Sequence, residues 1–361
     1  MPRARSLLLQ AVLLHGVILF GAFTASAGGA TPKAPNVVIL LADDLGWADV
    51  GYHDGEIKTP AIDRLAREGV RIERFYSAPI CSPTRAALLT GRDPLKLGIA
   101  YDQLHPWYNA GLSPGAYTLS SVFAEAGYQT ALVGKWHLGH TQEHQLPNAH
   151  GFQHFHGHLH TNTDYWKHER EGAHDLQQNG KTISRPGEYL THLQQNEAVR
   201  FIRERDPERP FLLYVPFTAP HSPMQAPPAA IDRYAHLPEE RFRRVYAAMV
   251  DEMDRAIAAI LEALDEQGIA EDTLVLFFSD NGGFRNFGAL NTPLRGEKGQ
   301  TFEGGIRVPA VMRGPGQLPA GTTNEDQTTV MDIFPTLAAA AGGWRQPPAG
   351  GCRTIPPPPP P

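Results

Sequence analysis

The chain has 361 residues, 42% of them hydrophobic and 19% charged, with a formal net charge of −6. That composition supplies a large apolar core, and the negative balance argues against a nucleic-acid polyanion as partner. Only two cysteines occur, Cys81 and Cys352, which excludes a disulfide-stapled scaffold and a four-cysteine zinc site.

Residues 1–27 read as an export signal. Arg3 and Arg5 give a positive start, Leu7 to Phe23 is almost entirely apolar, and Ala25-Ser26-Ala27 is a small-residue cleavage site. An uncleaved membrane anchor is the alternative, but the apolar run is short for a span. The chain contains no Asn-x-Ser/Thr sequon, which weighs against a glycosylated lysosomal protein. The expectation is an exported protein, periplasmic or extracellular, with no stable membrane insertion.

Beyond this segment strands and helices alternate. Asn36 to Ala42 is a continuous apolar run, as in a strand covered on both faces. Thr59-Pro60 reads as a cap and first-turn proline of a helix that ends before Gly69. Thr118 to Ala126 reads as a helix, Gln129 to Gly134 as a strand, Tyr189 to Arg205 as an amphipathic helix and Pro210 to Phe217 as a buried strand. Glu239 to Gln267 carries apolar residues at three- and four-residue steps and reads as one long helix. Thr273 to Ser279 and Arg307 to Met312 read as strands, and Asp332 to Ala341 as a closing helix. The fold class is therefore α/β, a mostly parallel central sheet with helices on both faces. The catalytic domain is expected over 34–343, and residues 344–361 form a Pro-rich tail with no core-forming pattern.

Chemistry gathers where the strands end. The first runs into Asp43-Asp44, the second into Lys135-Trp136-His137, the third reaches His221, and the fourth runs into Asp280-Asn281. Ligands of open α/β sheets bind outside the carboxyl ends of the strands. Asp43, Asp44, Asp280 and Asn281 offer hard oxygens, which suit Ca2+ or Mg2+ rather than zinc. Lys135, Lys298, His137 and His221 offer cationic or proton-donating groups, and the combination suits a tetrahedral oxyanion, phosphate or sulfate.

The segment Cys81-Ser82-Pro83-Thr84-Arg85, followed by Thr90-Gly91-Arg92, resembles the signature of the sulfatase family. Further segments match that family in order: LADDLGW (Leu41 to Trp47), GKWHLG (Gly134 to Gly139), Pro220-His221, SDNGG (Ser279 to Gly283) and LRGEKGQTFEGGIRVP (Leu294 to Pro309). The resemblance covers about Asn36 to Gly343. It looks closest to the arylsulfatase B (N-acetylgalactosamine-4-sulfatase) branch, within the alkaline phosphatase superfamily. It implies that Cys81 is oxidised to formylglycine by a formylglycine-generating enzyme, and that the hydrated aldehyde is the nucleophile. It further implies Ca2+ (or Mg2+) held by Asp43, Asp44, Asp280 and Asn281, with an oxygen of residue 81 or of the sulfate completing the shell. Arg85 would hold the nucleophile, Lys135 and Lys298 the sulfate oxygens, and His221 would donate a proton to the leaving oxygen. His137 would take the proton that triggers sulfate release. The implied substrate is a sulfated small molecule or sulfated sugar. The family's usual small C-terminal antiparallel domain has no counterpart in this sequence.

Two other readings compete with this one. A phosphate or phosphonate monoester hydrolase of the same superfamily would use the same kit, and an unmodified Cys81 would leave an inactive sulfated-glycan binder. Cys81 could also be a plain buried thiol. Asp63 and Arg64 read as a solvated helix face, and Glu303 and Arg307 as structural. Ten of the 16 histidines lie between His137 and His174. The alternation His154, His156, His158, His160 suggests a strand-like segment. A zinc or copper site is one reading of it, and a surface loop beside the substrate pocket is the preferred one.

Overall fold

The apolar runs form the middle of one ten-stranded sheet. The computed structural model describes residues 34–316 and 318–342. Residues 1–27, expected to be an export signal, Cys352 and the Pro-rich stretch 344–361 lie outside the described residues. The strands of the sheet are β1 (Asn36–Ala42), β2 (Val70–Ile72), β3 (Gln129–Lys135), β4 (His154–His158), β5 (Gln177–Gln178), β6 (Lys181–Thr182), β7 (Phe211–Pro216), β8 (Thr273–Ser279), β9 (Ala310–Arg313) and β10 (Thr322–Asn324). The longer helices are α1 (Pro60–Glu68), α2 (Cys81–Thr90), α3 (Leu119–Glu125), α4 (Leu190–Glu204), α5 (Arg243–Glu266) and α6 (Ile333–Ala340).

The strand order is β10-β2-β9-β8-β1-β7-β3-β4-β5-β6. The central five, β8-β1-β7-β3-β4, are all parallel, while β9, β5 and β6 pair antiparallel to their neighbours. Successive side chains of a strand point to opposite faces, so the buried runs feed two apolar layers. Val38, Leu40, Val275 and Phe277 pack with α1, α4 and α5 on one face. Val37, Ile39, Leu41, Leu276 and Phe278 pack with α2, α3 and α6 on the other. The expected fold class, a mostly parallel sheet with helices on both faces, is the one observed. Gly157 of β4 faces Gly134 of β3. A Cβ on Gly157 would lie 1.8 Å from the Gly134 carbonyl oxygen, so this pairing requires glycine.

Four local expectations are refined or corrected. Thr59 is the N-cap and Pro60 the first-turn proline of α1 as expected, but the Thr59 side chain makes no capping bond. Asp254 of α5 caps the helix instead, accepting from the Ala61 and Ile62 amides at 3.0 and 2.9 Å. The long helix begins only at Arg243, because Arg241 and Phe242 take positive φ of 52° and 63°. Arg243 then turns inward to Asp49 at 2.7 Å. The strand expected from Arg307 begins at Ala310, since Arg307 and Val308 pair with Tyr76 and Phe75 instead.

The fourth correction concerns the histidines, which do not form a surface loop. His154–His158 is the inner strand β4. His154 Nε2 bonds Glu197 at 2.6 Å and His158 Nε2 bonds Thr218 at 2.7 Å. Glu197 of α4 and Thr218, just after β7, give these two imidazoles partners, while His156 between them is buried with neither ring nitrogen hydrogen-bonded. Among the described residues, the groups of side chains close enough to share an ion do not include them.

Candidate active site

Every sequence-proposed site residue arrives at the same end of the sheet. β1 delivers Asp43 and Asp44, β3 delivers Lys135 and His137, β7 leads to His221, and β8 to Asp280 and Asn281. Helix α2 starts at Cys81 and presents Arg85 one turn later, and the loop after β8 returns Lys298. Asp44 and His137 sit at positive φ, 68° and 60°. Such backbone costs about 1 kcal/mol or more per residue and persists where the surroundings over-determine it.

The charges interlock. Lys135 Nζ donates to Asp43 Oδ2 at 2.6 Å. Arg85 donates twice to Asp280 Oδ2, at 3.1 and 2.8 Å, and lies 3.7 Å from Asp43. Its other nitrogen donates to the Lys135 carbonyl at 3.0 Å. Lys298 Nζ reaches both Asp44 oxygens, at 2.7 and 2.8 Å, and Asn281 Nδ2 donates to Asp44 Oδ1 at 2.8 Å. Asp43, Arg85, Lys135 and Asp280 are fully buried. Three carboxylates thus face three fixed cations. Burial pushes the Asp44 carboxyl up, but Lys298 and His221 outweigh it and hold the group well below the usual carboxylate range. Asp280 goes the other way, pushed up to about 6 by burial and by Asp43 beside it.

The Cys81 sulfur lies 3.3 Å from His137 Nδ1. Burial pushes its thiol pKa up, so the encoded thiol is a poor nucleophile. His137 is held neutral by burial and by Lys135 and Arg85. Its Nε2 faces the Leu104 carbonyl at 3.1 Å, an oxygen that can only accept. The proton therefore sits on Nε2 and Nδ1 is free to accept from residue 81. By the same logic His221 donates from Nδ1 to the Ser222 carbonyl at 2.8 Å. Its Nε2 faces Asp44 at 3.6 Å. Burial and Lys298 push the His221 pKa down to about 3.

The donor set fits a hard divalent cation. Asp43 Oδ1 and Asn281 Oδ1 are buried oxygens with no hydrogen-bond partner, and buried acceptors are normally satisfied. Candidate ligand atoms of Asp43, Asp44 and His221 lie within 4.8 Å of one another, as do those of Asp43, Cys81 and Asp280. Oxygen donors of this kind suit Ca2+ or Mg2+. A cavity of about 460 Å³ opens onto Asp44, Ile80, His221 and Lys298.

Other singled-out residues lie elsewhere. Arg64 pairs with Glu68 and Asp265, and Asp63 accepts from Thr59. Glu303 accepts from Tyr76, and Arg307 stacks over Trp47. Two supporting residues escaped the sequence reading. The Tyr246 hydroxyl accepts from the Gly46 amide and donates to the Asp44 carbonyl. Ser279 Oγ accepts from the Leu45 amide and donates to the Asn281 carbonyl. Ser279 opens the SDNGG segment and Tyr246 lies in the apolar stripe of the long helix, but neither position signals a supporting role locally.

The Sulfatase family model matches residues 35–343. Arylsulfatase J of Mus musculus is 36% identical over 318 residues, covering 86% of this chain and 53% of that protein. The chain thus spans about half the length of that relative. N-acetylgalactosamine-6-sulfatase of Canis lupus familiaris is 35% identical, covering 89% of this chain and 64% of that protein. The crystal structure of Ps i-CgsB in complex with k-i-k-neocarrahexaose superposes with a TM-score of 0.82 at 35% identity, over 87% of this chain and 73% of that one. The extent of the family match and the order of the site residues along the strands lead to one conclusion: the chain belongs to the sulfatase family.

Proposed function

We propose that the chain hydrolyses sulfate monoesters, arylsulfatase-like, through a formylglycine formed from Cys81 and with a bound Ca2+. The observation that carries this is the position of residue 81: buried at the start of α2, 3.3 Å from an accepting His137 nitrogen and ringed by three carboxylates and three cations. With the charges balanced three against three, a divalent cation makes the site net positive, which favours the singly charged sulfate group of an ester and the sulfate released from it.

The cation would be held by Asp43, Asp44, Asp280, Asn281 and an oxygen of residue 81, and would polarise sulfate oxygens. A hydrated aldehyde at residue 81 has two hydroxyls, one to attack sulfur and one to expel sulfate afterwards. Arg85 fixes the orientation of Asp280 and offsets charge beside residue 81. Lys135 and Lys298 bind sulfate oxygens as point charges. His137 accepts the proton of the residue 81 hydroxyl at Nδ1. His221 donates to the leaving oxygen; an anion bound beside it offsets Lys298 and favours the imidazolium. The substrate is a sulfated small molecule or sugar, and Ps i-CgsB at 35% identity carries an oligosaccharide in its crystal structure. The export-type residues 1–27 support a periplasmic or extracellular location. No helix among the described residues is long and apolar enough to cross a membrane.

Intact mass of the Cys81 peptide is the test. Conversion replaces sulfur and two hydrogens by oxygen, a loss of about 18 Da. Protein converted in this way should cleave p-nitrophenyl sulfate in preference to p-nitrophenyl phosphate, and Cys81→Ala should abolish turnover. An unmodified thiol, or a preference for phosphate, refutes the proposal.

A further inference from the structure

The cavity over Asp44, His221 and Lys298 does not end at the charged site. A second cavity of about 420 Å³ is lined by Thr163, Asp164, Glu169, Glu171, Met224 and Phe242. Asn162, Arg170, Ser222 and Phe287 line both cavities, so the two are contiguous. Each volume is sufficient for one sugar ring.

The character of the second cavity differs from that of the first. Phe287 lies across Phe284 at 5.2 Å and across Phe242 at 6.2 Å, giving an aromatic wall. Asn162 and Thr163 are 9% and 1% exposed. Asn162 Oδ1, Thr163 Oγ1 and Arg170 Nε have no hydrogen-bond partner among the described residues. Unsatisfied polar atoms of this kind carry a desolvation cost that a hydroxyl-bearing ligand relieves. An aromatic surface beside unpaired amide, hydroxyl and guanidinium groups matches the amphipathic surface of a sugar ring. The lining also carries three carboxylates, Asp164, Glu169 and Glu171, against Arg170 alone. Arg170 is already 3.1 Å from Glu171. That balance disfavours a second sulfate or a uronate.

Resting on the hydrolytic reading of the site, we propose that the second cavity is a subsite for an uncharged sugar ring next to the sulfated one. The substrate is then a mono-sulfated oligosaccharide, with Thr163 and Phe242 acting in specificity and not in catalysis.

The test measures binding by calorimetry in the Cys81→Ala protein, with three probes. They are a mono-sulfated monosaccharide, the same unit linked to a neutral sugar, and the same disaccharide with a second sulfate on that neighbour. The mono-sulfated disaccharide should bind about fivefold or more tighter than the monosaccharide, and the disulfated one more weakly than the mono-sulfated one. Thr163→Val keeps the side-chain shape and removes no bond within the chain. It should weaken disaccharide binding about two- to tenfold and leave the monosaccharide unchanged. Phe242→Ala, at an exposed position that folding tolerates, should do the same. Equal affinity for monosaccharide and disaccharide, tighter binding of the disulfated probe, or variants that weaken both ligands alike would each overturn the subsite. Turnover of p-nitrophenyl sulfate by the Cys81 protein is read separately. Its failure removes the hydrolytic reading and leaves the binding comparison to decide the subsite.

Discussion

Lys135→Met isolates one of the buried charge pairs. Lys135 and Asp43 are fully buried with 2.6 Å between Nζ and Oδ2. Without the ammonium, Asp43 keeps only Arg85 at 3.7 Å, and Arg85 is already committed to Asp280. Removing one member of a buried pair typically costs about 3–5 kcal/mol, because the remaining charge is left uncompensated. At about 2 °C per kcal/mol for a domain of this size, Tm should fall by about 6–10 °C. Scanning calorimetry in chelator measures this directly. The decisive arm is the double variant Asp43→Asn with Lys135→Met. Neutralising the stranded carboxylate should recover more than half of the lost Tm. A Lys135→Met protein melting within 2 °C of wild type, or a double variant melting no higher than the single one, would refute the claim that the site's charges are uncompensated except by one another.

Three further outcomes follow from the same geometry. Chelator should lower Tm and Ca2+ restore it, by about 5 °C at a hundredfold excess over Kd; identical melting curves with and without Ca2+ would exclude the cation from the site. Asp254 is pushed up to about 7, mainly by burial, from an ordinary 3.8. A carboxyl raised in the folded state gives stability below its unfolded pKa that is lost as pH rises through the folded one. Asp254→Asn should therefore flatten the decline in stability between about pH 4 and 7, and an unchanged slope in urea titrations would contradict the assignment. Gly157→Ala should yield insoluble or grossly destabilised protein, because its Cβ would meet the Gly134 oxygen at 1.8 Å; a soluble variant with native circular dichroism would show that β3 and β4 can separate.

The site was largely legible because its residues follow strands whose apolar runs are unmistakable. Asp43, Lys135 and Asp280 stand directly at or after the ends of β1, β3 and β8, and strand ends of parallel sheets converge. Cys81 and Arg85 were found through their motif, but helix α2 was not read, since its ten buried residues carry almost no amphipathic pattern. The strand at the alternating histidines was legible, but its burial was not, for a different reason. Whether an imidazole is buried depends on what meets it, and Glu197 and Thr218 lie 43 and 60 residues away in sequence. The break at Arg241 and Phe242 was equally hidden. Nothing local distinguishes it from helix, and it follows from the contact of Arg243 with Asp49, 194 residues earlier.

The burial of Cys81 sets a timetable for any chemistry done to it by another protein. Its side chain is enclosed by residues as far along the chain as Asp280 and Lys298, and β1 pairs with β7 and β8, about 170 to 240 residues downstream. At ordinary rates of synthesis that separation represents roughly 10–40 seconds in which residue 81 has emerged and the strands that bury it have not. A maturing enzyme has to act within that interval or on a chain held unfolded. A protein that folds first would keep its thiol for good.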